Sequence, residues 1–137
     1  MNYELVWYKE LSNNSNKLFK LSKKKDNLEI FEYYSTNDNN KIYNLTNMTY
    51  VNIPSIMHVL EDRYNKNKIY TFNGKILISI NPFKRINIYK NTNNLDIEQP
   101  HVYSLAEKTY KNTKYKNQSI LVSGESGSGK TENTKYI

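Results

Sequence analysis

One stretch near the C-terminal end limits what this chain can fold into: Gly124-Glu125-Ser126-Gly127-Ser128-Gly129-Lys130-Thr131. It fits G-x-x-x-x-G-K-[ST], the pattern of a phosphate-binding loop. Gly124, Gly127 and Gly129 have no Cβ, so the chain can turn tightly and aim successive backbone N–H groups at phosphate oxygens. Lys130 reaches the β- and γ-phosphates as a point charge, and the Thr131 hydroxyl is placed to ligate Mg²⁺. The chain has only four glycines, and three of them lie here. The plainer alternative is a Gly-Ser surface turn beside a chance Lys-Thr pair.

The flanks give the loop its context. Gln118-Ser119-Ile120-Leu121-Val122 is a short apolar run suited to a buried parallel strand, and Lys130 to Ile137 has no Gly or Pro and can open a helix. A helix starting there points its positive end at the phosphates. The chain ends at Ile137, before the further strands and helices that a parallel sheet requires. It therefore reads as the N-terminal piece of a longer protein beginning at Met1, and no Walker B aspartate lies within it.

Composition excludes several classes of function. With no cysteine, neither a disulfide nor a thiolate metal site can form, and His58 and His101 lack the spacing of zinc ligands. No apolar run approaches transmembrane length, and the N-terminus has no signal-peptide core. The net charge of +7 makes a polyanion partner a third class to weigh. The lysines are dispersed, however, apart from Lys23-Lys24-Lys25 and the 108–116 stretch, so solvated faces are expected and nucleic acid is not.

Residues 1–44 read as a small β-rich region. Leu5 to Tyr8, Leu18 to Leu21 and Leu28 to Tyr34 are β-prone runs, separated by the loops 12–16 and 23–27. Residues 37–40 are linker. A helix is expected over 52–67, capped by Asn52, with Pro54 in its first turn. Ile56, Val59, Leu60 and Tyr64 form its apolar stripe, with His58 and Arg63 on the flanks. A hairpin follows, with arms 69–72 and 75–80 around Asn73-Gly74, a pair that favours a type I′ turn. The second arm is apolar on both faces near its end and should be the more buried. Pro82 stops it.

The segment Asn81 to Tyr89 then combines an amide, cations and aromatics that could hold a base by stacking and hydrogen bonding. Beyond the Asn-rich 91–99 loop, Pro100 opens a second helix whose inner face is Val102, Leu105, Ala106, Thr109 and Tyr110. It leads as a right-handed crossover into the 118–122 strand.

Taken together, these segments resemble the start of a myosin heavy-chain motor domain. Gln118 through Lys135 is similar to the myosin phosphate loop almost letter for letter, with Ser128 where alanine is usual; Glu125-Ser126 and Glu132-Asn133-Thr134 are the discriminating residues. Ile80-Asn81-Pro82-Phe83-Lys84 with Tyr89 resembles that family's purine-binding loop, and His101 to Ala106 resembles the helix that follows. Leu45-Thr46 through Pro54, Arg63-Tyr64 and Ile69 to Phe72 also match its opening. Residues 1–44 look like the SH3-like barrel before many myosin motors only through Val6-Trp7 and the strand spacing.

The resemblance implies an α/β P-loop NTPase fold for 45–137, the start of a motor domain, preceded by a small SH3-like β-rich region at 1–44. It implies an actin-based, cytoskeletal, cytoplasmic motor that hydrolyses ATP with Mg²⁺. Phosphate contacts would come from Gly124, Glu125, Ser126, Gly127, Ser128, Gly129 and Lys130, Mg²⁺ ligation from Thr131, and adenine contacts from Asn81, Pro82, Lys84 and Tyr89. Arg85 is a weaker carry-over. The switch segments that position the attacking water, the actin-binding surface and the light-chain sites would lie beyond Ile137. No catalytic residue is expected within these residues, and the segment alone should bind nucleotide without hydrolysing it. A non-motor nucleotide-binding protein and a non-functional truncated product remain the alternatives.

Overall fold

The computed structural model describes residues 5–9, 19–23, 30–32, 42–90, 96 and 98–137, the first three stretches as strands without their side chains. Those strands, β1 (Leu5–Lys9), β2 (Phe19–Lys23) and β3 (Ile30–Glu32), form an antiparallel sheet in the order β2-β1-β3, with Trp7 opposite both Leu21 and Phe31. This agrees with the three β-prone runs. The expected loop at 12–16, all of the 23–27 loop but Lys23, the 37–40 linker, and residues 91–95 and 97 of the 91–99 loop lie outside the described residues.

The next element is α1 (Ile53–Asn65), which starts where the sequence indicates. The Asn52 side chain accepts the Ser55 N–H at 3.0 Å and satisfies a donor that the helix cannot pair internally. The helix ends in a Schellman pattern: the Lys68 N–H reaches the Arg63 carbonyl and the Asn67 N–H reaches that of Tyr64, both at 2.9 Å. Asn67 takes the left-handed φ of 57° that this ending needs, a conformation asparagine tolerates better than most residues.

The face of α1 corrects the expected stripe. Its buried residues are Pro54, Ser55, Val59 and Arg63, whereas Ile56 and Leu60 are only half-buried. Arg63, expected on the flank, is 2% exposed. Its Nε donates to Thr71 Oγ1 at 2.8 Å, its Nη2 to the Tyr70 carbonyl at 2.6 Å, and its Nη1 to the Ile42 carbonyl at 3.3 Å. The Tyr43 ring lies 5.7 Å from the guanidinium carbon. Burial lowers the arginine's pKa, an effect partly opposed by Tyr43 and Asp62. Apolar periodicity could not reveal an inward-facing cation whose partners lie on other elements.

The hairpin consists of β4 (Tyr70–Asn73) and β5 (Ile76–Ser79), paired from Tyr70 opposite Ser79 to Asn73 opposite Ile76. That register places Asn73 in the strand and Gly74-Lys75 in the turn. Only Gly74 has a positive φ, 60°, the pattern of a type II′ rather than a type I′ turn. Asn44 contributes to this choice, because its Oδ1 accepts the Gly74 N–H at 2.9 Å. The arms also exchange their expected burial: Tyr70, Thr71 and Phe72 are buried, while Ile76 is exposed and Leu77 to Ser79 are half-buried. Arg63 covers β4, and Phe72 makes a parallel bridge with Asn44 on its other side.

The second helix, α2 (Val102–Asn112), is capped by His101, whose Nδ1 accepts the Tyr103 N–H at 3.1 Å. Pro100 thus lies one residue ahead of the cap rather than in the first turn. Val102 and Ser104 are the buried positions of α2, and Tyr110 faces out, contrary to the expected inner face. Residues 117–125 carry no strand. Burial alternates there, with Ile120 and Val122 half-buried and Leu121 92% exposed, as a strand would show. Among the described residues, though, no backbone hydrogen bond joins 118–123 to a neighbouring strand, so the expected parallel strand and its crossover are not formed. Replacing Arg63 with Met should leave the Tyr70 carbonyl unpaired and destabilise the complete protein by about 3 kcal/mol, measurable as a lowered denaturant midpoint.

Candidate functional site

The glycine loop precedes the last helix, α3 (Lys130–Lys135). Gly129 caps it in the left-handed region at φ 93°, and Gly124 has φ 153°. A Cβ on Gly124 would lie 2.7 Å from Ser128 Oγ and 3.4 Å from its Cβ, so the serine would have to turn aside, and the φ itself is one that side chains rarely adopt. Inside the loop, the Ser128 N–H turns back to the Glu125 carbonyl at 3.2 Å. The Lys130 ammonium folds over the same turn, donating to the Gly124 carbonyl at 2.8 Å and the Glu125 carbonyl at 2.7 Å. An ammonium has three protons, so one is left over for a further acceptor. Ser126 and Thr131 are exposed, the latter in the first turn of α3.

The 81–89 segment meets this loop directly. Asn81 Nδ2 donates to the Gly127 carbonyl at 2.8 Å, and its Oδ1 accepts the Phe83 N–H at 2.9 Å. Phe83 itself has a left-handed φ of 49° and is 84% exposed. The Pro82 carbonyl accepts the Tyr64 hydroxyl at 3.3 Å. Lys84 and Arg85 are exposed. At the far end of the segment, Tyr89 stacks on Tyr136, with centroids 4.1 Å apart and rings within 8° of parallel.

Side chains that the sequence did not single out for this site join the two parts. Asn133, on α3, donates through Nδ2 to the Gly129 carbonyl at 3.0 Å and to Ser79 Oγ at 3.2 Å. Its Oδ1 accepts the Tyr70 hydroxyl at 2.8 Å. Tyr70 has only one phenolic proton, and Asn133 takes it, so Tyr89 is the donor in the 3.0 Å bond between the two hydroxyls. Burial, then this bond to Tyr89, raises the Tyr70 pKa; burial also raises that of Tyr89. Both phenols therefore stay protonated and able to donate. Asn133 stood out in the sequence as a discriminating residue, but nothing in its spacing showed that it would reach a hairpin more than fifty positions earlier.

His101 completes the aromatic cluster, edge-on to Tyr70 at 5.1 Å and to Tyr89 at 5.7 Å. Nδ1 is an acceptor, so the proton lies on Nε2, which faces the Ile88 carbonyl without reaching good hydrogen-bond geometry. Burial lowers the imidazole pKa, and the Ile88 carbonyl opposes this only in part. Below the loop, an open groove of about 970 Å³ runs between β5, α2 and 118–124, with Gly124, Ser128 and Lys130 among its lining. Among the described residues, no group of three His, Cys, Asp or Glu side chains could hold a metal. Thr131 could supply one oxygen ligand to a Mg²⁺ ion, a cation that takes oxygen donors.

A glycine loop folded under a lysine and bound to a base-type segment is a candidate nucleotide site. Residues 42–137 match the family described as myosin head (motor domain), and the chain belongs to that family. It is 44% identical to Myosin-52 of Schizosaccharomyces pombe over 68% of its own length and 7% of that protein. It is 45% identical to the Myosin-J heavy chain of Dictyostelium discoideum over 68% of its length, 4% of that protein. With the Myosin-M heavy chain of the same organism, it shares 34% identity over 98% of its length, 8% of that protein. The chain thus spans less than a tenth of the length of these relatives.

The state of His101 has a measurable consequence. Its folded pKa lies below the ordinary 6.5, so as pH falls through that value the unfolded chain takes up a proton that the folded chain refuses. Stability is therefore lost on acidification. His101→Asn retains a capping acceptor and removes the titration. Between about pH 7.5 and about pH 5, its melting temperature should fall less than that of the unaltered protein.

Proposed function

We propose that this chain forms the nucleotide-binding start of an actin-based motor whose complete protein hydrolyses Mg·ATP. The observation that carries the reading is the loop geometry within a segment that matches the myosin head: glycines with positive φ at 124, 127 and 129, and the Lys130 ammonium held over the turn. On this reading, residues 45–137 open an α/β P-loop NTPase fold, and residues 1–44 form the small SH3-like region before it. Residues Gly124 to Lys130 receive the phosphates. The base side is formed by Asn81, Pro82, Lys84 and Tyr89.

Thr131 would hold Mg²⁺ together with the nucleotide's own phosphates. Bound there, the ion would offset the charge of the phosphates. The residues of this chain orient the triphosphate and supply one cation. Actin filaments and light chains would be the partners of the complete protein, which would be cytoskeleton-associated. No helix among the described residues is long and apolar enough to cross a membrane.

Removing the Lys130 cation tests this reading. In the complete protein, Lys130→Ala should weaken ATP binding by about 100-fold, as expected for a charge-assisted contact of about 3 kcal/mol, and abolish ATP-dependent release from actin filaments. Cosedimentation with actin, with and without ATP, reads the release. Normal release by the variant would contradict the assignment.

A further inference from the structure

The 81–89 segment was expected to read the base, yet in the structure each of its ends is bonded toward the phosphate loop. At one end, Asn81 has both poles of its amide engaged: Oδ1 with the Phe83 N–H, and Nδ2 with the Gly127 carbonyl. At the other end, the Tyr89 hydroxyl donates to Tyr70, Tyr70 to Asn133 Oδ1, and Asn133 Nδ2 to the Gly129 carbonyl. Gly129 lies between the two amides. A Cβ built on it would be 3.7 Å from Asn133 Nδ2 and 4.0 Å from both Cβ and Cγ of Asn81.

We propose that Asn81 and Asn133 form a two-amide clamp on the phosphate loop, making Asn81 a positioning residue that acts through Gly127 rather than a reader of the base. This rests on the nucleotide reading above and assigns a different task to one of its residues. The physical logic lies in the planar peptide. The Gly129 carbonyl accepts both the backbone N–H and the Nδ2 of Asn133, each at 3.0 Å, and holding it there turns the N–H of Lys130, in the same peptide unit, to the opposite side. Holding the Gly127 carbonyl likewise fixes the Ser128 N–H, which points to the Glu125 carbonyl. A loop already held in shape loses less conformational freedom when a polyphosphate binds, so the clamp acts on phosphate affinity whatever base is attached. Ser79 adds a third anchor, since its Oγ accepts a hydrogen bond from Asn133 Nδ2 and it belongs to β5.

The test compares ATP with inorganic tripolyphosphate on the complete protein, by calorimetry in the presence of Mg²⁺. Asn81→Ala removes the whole amide. Asn81→Ser leaves an oxygen that can still accept the Phe83 N–H but is too short to reach Gly127. Both variants should lose about tenfold in affinity for both ligands, as for one lost hydrogen bond with its carbonyl left unpaired. Tyr70→Phe, which removes the hydroxyl linking Tyr89 to Asn133, should weaken both ligands in equal proportion by about threefold.

Binding stoichiometry should match that of the unaltered protein, since the variants remain folded; a merely structural defect would lower it. Loss of ATP affinity with tripolyphosphate unaffected would make Asn81 a base contact and overturn the clamp. Full affinity in Asn81→Ser would do the same, by showing that the turn and not the donor matters. If the unaltered protein bound neither ligand, the nucleotide reading itself would fail, an outcome distinct from either of these.

Discussion

The hydrogen bonds of two amides, Asn133 above all and Asn81 with it, hold the glycine loop to the rest of the structure. The helix that follows the loop has six residues and buries none of them. A helix so short does not persist on its own propensity, because nucleation costs more than a single turn returns. It needs attachment, and the attachment is mostly polar. Asn133 ties α3 to Tyr70 and Ser79 of the hairpin and, through the Gly129 carbonyl, to the loop. The stacking of Tyr136 on Tyr89 adds the apolar part. Removing that amide would leave α3 and the loop with little besides Asn81 and Tyr136 to locate them.

The hairpin that receives these bonds is itself organised around a buried charge. Among the described residues, one apolar cluster is built on Ile69, Tyr70 and Val102, with half-buried aromatics and aliphatics around them. Arg63 sits beside it and donates to two carbonyls and a hydroxyl, with its bonds to Thr71 and the Tyr70 carbonyl buried. Tyr70 therefore serves both layers: its carbonyl accepts from Arg63, while its hydroxyl donates to Asn133. A route of directional bonds runs from α1 through β4 to the phosphate loop, which makes β4 the platform for the site.

What could be read in the sequence follows from how local each signal is. The start of α1 was readable because Asn52 and Pro54 act within one turn. The glycine loop was readable because its conformation is written in missing side chains. The hairpin was readable as a hairpin, but its turn was shifted by one residue, since Asn44, about thirty positions away, holds the Gly74 N–H. The inward turn of Arg63 and the burial of β4 depend on partners brought in by the fold, and hydropathy marked them the other way. The run at 118–122 has the composition and alternation of a strand, but a strand also needs a neighbour, and none of the described residues supplies one. Asn81 was recognised as part of the site by resemblance, but its bond to Gly127 could be seen only in three dimensions.

The account depends on the 81–89 segment and the 124–131 loop behaving as one mechanical unit. Hydrogen–deuterium exchange of the complete protein, with and without Mg·tripolyphosphate, tests this most directly, because that ligand has no base. The account predicts slower exchange at the amides of 124–131 and also at Phe83 and its neighbours, which lie on the base side. Protection confined to 124–131, with 81–89 unchanged, would contradict it.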